Sequence, residues 1–121
     1  MNEKIVEAAM GIIIHAGDAR LFCKEALDAV SDFDFGKAAE KMKKADKEIA
    51  EAHRIQTDAI QGEANGEKME YSVLFTHAQD TLMTIYSEIN LANQIIKIAK
   101  NCEERIKRLE EYDEKKSERV S

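Results

Sequence analysis

"VLFTHAQDTLMTIYSEINLANQIIKIAK", Val73 to Lys100, decides the fold. Its apolar residues Phe75, Ala78, Leu82, Ile85, Ile89, Ala92, Ile96 and Ala99 recur at alternating steps of three and four. That spacing keeps them on one side of an α-helix and predicts an amphipathic helix over the whole stretch. Ser72, just before it, is a suitable N-cap.

The same rhythm appears upstream. Ile5, Ala9, Ile12, Ala16, Ala19, Cys23, Ala26 and Val30 form one unbroken stripe, predicting a first helix from an Asn2 cap to about Val30. Gly11 and Gly17 interrupt it chemically but not in period. Each costs a helix about 1 kcal/mol relative to alanine, so a close approach of another backbone is expected at both. "SDFD" reads as a turn in which Asp34 caps a second helix from Phe35 to about Ile60. The stripe of that helix is Phe35, Ala38, Met42, Ala45, Ile49, Ala52, Gln56 and Ala59. "GEANGEKMEYS", Gly62 to Ser72, is the one substantial loop. Three amphipathic helices with short connections make an all-α fold, an antiparallel three-helix bundle.

Composition agrees with this reading. The chain of 121 residues has no proline or tryptophan, five glycines, 35% charged and 44% hydrophobic residues. That balance suits one helical domain and argues against disorder. A formal net charge of −6 disfavours nucleic acid as a partner. Cys23 and Cys102 form neither a metal-type cluster nor a disulfide framework. No signal peptide precedes the first helix, and "GIII" is too short to span a bilayer, so the cytoplasm is the expected location. Residues 1–101 are taken as the helical domain. Residues 102–121 are taken as a charged helical extension or frayed tail.

The third helix has a second apolar side. With about 100° per residue, Asp80 lies about 160° from the centre of the core stripe. Val73, Met83, Leu91, Ile95, Ile98, Cys102 and Leu109 share that side, and up to Ile98 its only charge is Asp80. A helix apolar on two opposite sides must bury both. A rotation axis with further copies of the chain would cover the second. The positions Leu91, Ile95, Ile98, Cys102, Arg105, Leu109 and Tyr112 alternate four and three, like a coiled-coil seam. The plain alternative is a greasy monomer surface. On an axis, identical Asp80 carboxylates would repel, and protonation or a hard cation such as magnesium would relieve this. As a solvated acid, Asp80 would need neither.

Of three histidines, His15 and His53 border the apolar stripes and read as packed structure. His77 falls about 60° from Asp80, between the second apolar face and solvent. A neutral imidazole nitrogen is a nucleophile near pH 7 and can carry a phosphoryl group as a phosphoramidate. The sequence contains no P-loop, dinucleotide fingerprint or paired-histidine zinc motif.

The segments "AGDAR" (Ala16–Arg20), "FDFGKAAEKM" (Phe33–Met42), "IAEAH" with "QT" (Ile49–Thr57), the "GE" and "YSV" flanks of the loop and "HAQDTLMT" (His77–Thr84) are collinear with one family. The chain resembles the lactose/cellobiose/diacetylchitobiose type of enzyme IIA of the bacterial sugar phosphotransferase system. The resemblance covers about Ala9 to Lys100. It implies a homotrimer with the third helices around the axis, and His77 as phosphoryl acceptor, through the distal nitrogen Nε2. It implies the phosphocarrier HPr as donor and a cysteine of the sugar-specific IIB component as receiver. It further implies Asp80 as a ligand of an axial Mg2+, and Gln79 as a residue that helps orient the site. Two departures stand out. Thr81 occupies a position where the family usually has histidine, and the charged tail is longer than usual. The competing reading is a non-catalytic helical interaction or regulatory module, in which His77 is polar surface.

Overall fold

The structure, a computed structural model of the chain, describes residues 3–64, 66 and 72–120. Three helices account for it: α1 (Glu3–Ser31), α2 (Phe35–Ala64) and α3 (Val73–Val120). The expected Asn2 cap lies outside the described residues.

The short α1–α2 turn reverses the chain and is closed by backbone bonds. The Asp34 amide donates to the Ala29 carbonyl at 3.0 Å, and the Phe33 amide to that of Val30 at 2.8 Å. This is the Schellman pattern, whose penultimate residue adopts a left-handed backbone. Phe33 takes that place with φ 55°, where glycine or asparagine is usual, so the turn is locally strained. Asp34 caps α2 as expected, its Oδ1 accepting the Lys37 amide at 3.1 Å. Ser72 caps α3, its Oγ accepting the Phe75 amide at 3.2 Å.

All three stripes face one core. Seven of the eight α1 positions and Met42, Ala45, Ile49 and Ala52 of α2 form one buried cluster with the stripe residues Phe75 to Ala92 of α3; Val30 joins a second cluster with Ala29 and Ala38. Much of the core is alanine: Ala9, Ala16, Ala19, Ala26, Ala38, Ala45, Ala52 and Ala78 are fully buried. Small residues let the helices approach closely, and Ile12, Leu82 and Ile85 fill the remaining space. No polar side chain is fully buried among the described residues. Phe35, Gln56, Ala59, Ile96 and Ala99 close the ends of the stripes as half-buried residues.

Two sequence expectations change. α2 continues to Ala64 instead of ending near Ile60. A lone Gly62 is tolerated in a helix, and the left-handed residue is Gly66, at φ 95°. Gly11 does face α2, but its neighbour is a side chain: a Cβ there would sit 3.1 Å from Ile55 Cδ1. At Gly17 nothing lies within 4 Å of such a Cβ, so no close approach explains it. Of the two forms expected for the tail, the structure has the helical one: α3 runs unbroken to Val120, 48 residues in all. At 1.5 Å per residue it is about 70 Å long, against about 45 Å for each partner.

Gly17→Ala should therefore stabilise the protein by about 0.5–1 kcal/mol in urea unfolding, because the helix gains propensity and no clash arises. Gly11→Ala should gain less, since Ile55 must yield. Leu82→Ala, at a filled core position, should cost about 2–5 kcal/mol in the same measurement.

Candidate functional site

The residues singled out in the sequence lie in the first turns of α3. Ser72 fixes where the helix begins, and the period then assigns each side chain a direction. Ala78 and Leu82 go into the core, while His77 and Asp80 are exposed and Gln79 is half-buried. The side chains of His77, Gln79 and Asp80 make no hydrogen bond or ion pair among the described residues. A free imidazole and a free carboxylate are thus presented on adjoining sides of one helix.

The two nearby threonines are turned inward to the backbone. Thr81 Oγ1 donates to the His77 carbonyl at 2.8 Å, and Thr76 Oγ1 to the Ser72 carbonyl at 3.0 Å. Such bonds back to residue i−4 occupy the hydroxyl within its own helix. Thr81 is therefore tied to the main chain of His77, not to its ring.

The other histidines have structural partners. His15 Nδ1 sits 2.7 Å from Glu48 Oε2, tying α1 to α2. His53 Nδ1 is 3.5 Å from Thr57 Oγ1, one turn along the same helix. Cys23 is buried, and burial first, then Glu88 and Asp46, hold its thiol above the usual range; it stays a neutral packing residue.

One feature was not legible in the periods. Arg20 forks onto Glu88, with Nε 3.0 Å from Oε1 and Nη2 2.9 Å from Oε2, and so ties α1 to α3. "AGDAR" supplies the arginine, but no local signal names its partner. Below this pair runs a shallow apolar groove lined by Cys23, Leu27, Ile85, Leu91, Ala92 and Ile95. Glu88 lies eleven residues after His77 and so nearly on the same line of α3. The imidazole, the ion pair and the groove thus border the same edge of the second apolar face. That face is open in the protomer, with Val73 71%, Leu91 62% and Ile98 60% exposed.

The family described as "PTS system, Lactose/Cellobiose specific IIA subunit" matches residues 7–100. The chain belongs to that family. Among IIA relatives, the lichenan-specific phosphotransferase enzyme IIA component of Bacillus subtilis is 39% identical over 98 residues, 81% of this chain and 89% of its own. The cellobiose-specific enzyme IIA of Bacillus anthracis superposes with TM-score 0.80 at 41% identity, covering 85% of this chain and 94% of its own. The IIA(chitobiose) of Escherichia coli, solved in complex with HPr, gives TM-score 0.73 at 33% identity, covering 82% and 96%. The IIA match stops at Lys100, while α3 continues for twenty residues to Val120. Among the described residues no helix is long and apolar enough to cross a membrane. Among the described residues of the protomer, no group of three or more His, Cys, Asp or Glu could hold a metal.

The Arg20–Glu88 pair is bidentate but half-exposed, so its worth is modest. Arg20→Ala should cost at most about 1 kcal/mol at low salt, and the loss should shrink at 0.5 M NaCl if the pair is the cause.

Proposed function

We propose that this IIA protein is a cytoplasmic phosphoryl carrier for sugar uptake, with His77 as the acceptor. The observation that carries the reading is the free, exposed imidazole of His77 within the family motif, at the edge of an apolar face and in the first turns of α3. A side chain on a helix leans toward its N-terminus, so this imidazole lies over the capped first turn. The ring is exposed, and no neighbour among the described residues bonds to it.

In the first step, His77 Nε2 attacks the phosphorus of phospho-HPr. A new N–P bond forms as the N–P bond to the HPr histidine breaks. In the second, a cysteine thiolate of the IIB component attacks the same phosphorus, an S–P bond forms, and His77 is released neutral. The protein contributes exposure, position and a nucleophilic nitrogen. Gln79, half-buried about two turns from Ser72, would orient the site through its amide.

The working form is a homotrimer with the α3 helices around the axis. This follows the family resemblance and is supported by the apolar face opposite the core. His77 then lies at the groove between subunits, and Asp80 on the axis. A single Asp80 cannot bind a metal alone, but three carboxylates with no competing partner suit a hard cation that prefers oxygen. Mg2+ would be held by Asp80 from each subunit. It would neutralise axial charge and take no part in the transfer steps.

With phosphoenolpyruvate, enzyme I and HPr, the protein should gain one acid-labile phosphoryl group per chain. His77→Ala should abolish the label; a label that persists would overturn the assignment. In sedimentation, Asp80→Leu should leave the trimer intact or tighten it, because like charges leave the axis. Dissociation to monomers on that change would contradict the axial placement. Phosphorylation adds about two negative charges beside the axis, not on it, and the trimer should tolerate it.

A further inference from the structure

α3 leaves the bundle near Lys100. Its last packed contacts are Ile96 and Ala99 against the cluster of Ala29, Val30 and Ala38, and the Lys100 ammonium over the Phe35 ring at 5.8 Å. From Asn101 to Arg119 every residue except Glu103 is exposed. About 30 Å of helix therefore projects beyond the core clusters formed by the described residues. A helix of that length is marginal alone, and stability in proteins comes from packing one face.

The projecting segment does have such a face. Ile95, Ile98, Cys102, Ile106, Leu109 and Asp113 step by three, four and four in turn. Read backwards, the same eleven-residue period passes through Leu91 and Asp80 to Val73, and forwards it reaches Ser117. No lysine, arginine or glutamate falls on the line over this whole length, although charged residues dominate the rest of the segment. The heptad alternative would put the guanidinium of Arg105 and the phenol of Tyr112 on the seam. The eleven-residue period replaces them with Ile106 and Asp113, and corresponds to nearly straight helices with a slight right-handed coil.

Charge selects the orientation. At about 98° per residue, Arg105 and Lys116 lie about 65° to one side of this line. Glu110 lies equally far to the other side, with Glu103 and Glu114 just beyond it. Glu103 is held by Lys107 at 2.9 Å, while Arg105 and Lys116 make no ion pair among the described residues. Parallel helices around an axis set the basic flank of each against the acidic flank of the next. Antiparallel helices would set like flanks together.

We propose that residues 101–117 of α3 are an assembly segment that pairs, parallel and in register, with the same segment of the other copies of this chain, carrying the subunit axis about 25 Å beyond the bundles. This rests on the trimer reading above. It adds a self-association surface outside the stretch shared with the IIA family, with Arg105 facing Glu110 of the partner subunit.

Cysteine cross-linking in the full-length protein tests it. Cys102 is exposed and Cys23 buried, so Cys102 alone is available to oxidant. Under copper-phenanthroline two Cys102 thiols would give two protons and two electrons to the oxidant and form a disulfide between chains. A second variant, Ser117→Cys with Cys102→Ser, probes the far end. Only parallel, in-register copies bring identical residues together at both positions. Covalent dimers are expected in both proteins, up to about two-thirds of the chains, since a trimer leaves one thiol odd. Arg105→Glu with Lys116→Glu should slow cross-linking at least tenfold, and adding Glu110→Lys with Glu114→Lys should restore it. A sedimenting trimer without a Ser117→Cys cross-link would overturn the proposal and leave the trimer standing. So would indifference to the flank reversal. Labelling by phospho-HPr, measured on the same samples, reports the carrier function separately.

Discussion

α3 carries apolar side chains on two opposite faces, and α1 and α2 can cover only one. The rest of the molecule depends on that constraint. Phe75, Leu82, Ile85 and Ile89 are satisfied within the protomer, against an alanine-rich seam that draws the helices close. Leu91, Ile95 and Ile98 are not, and remain in water unless another chain arrives. His77 belongs to neither face. It occupies the boundary where the outer face meets solvent, and a residue there can stay exposed while its helix is buried on both sides.

The polar contacts follow the same division. The ties between helices, His15 to Glu48 and Arg20 to Glu88, sit at the margins of the inner face. Thr81 and Thr76 spend their hydroxyls on their own helix. On the edge of the outer face, the side chains of His77, Gln79 and Asp80, within a single turn, have no partner among the described residues. In a protein with many exposed ion pairs, unpaired polar groups at one place on an otherwise apolar edge are a functional signature.

Much of this was legible in the sequence, because the fold is built from periodic helices. Stripe positions such as Ala9, Met42 and Leu82 follow from spacing alone, and Asp34 and Ser72 announced their caps by residue type and place. The directions of His77 and Asp80 came from the same wheel. The misses share a cause: they depend on neighbours that the local sequence does not specify. Gly62 looked like a stop, but a single glycine only weakens a helix, and the chain turns at Gly66. Gly17 looked like a contact and faces open space. Glycine is also the usual residue for the left-handed turn position that Phe33 occupies. The partner of Arg20 lies 68 residues away and leaves no periodic trace. In the charged tail a heptad count runs onto Arg105, where an eleven-residue count finds Ile106.

The length of α3 gives the molecule a polarity. His77 stands near one end of this rod and the projecting segment at the other, with more than twenty residues, about 35 Å of helix, between them. A docking protein that approaches the imidazole meets the capped end of the bundle and never encounters the tail. Under the assembly proposed above, substitutions that lengthen, shorten or recharge the tail would alter how firmly the copies hold together without touching the surface around the imidazole. One helix would then separate the problem of staying assembled from the problem of exchanging partners, and each end would be free to change on its own.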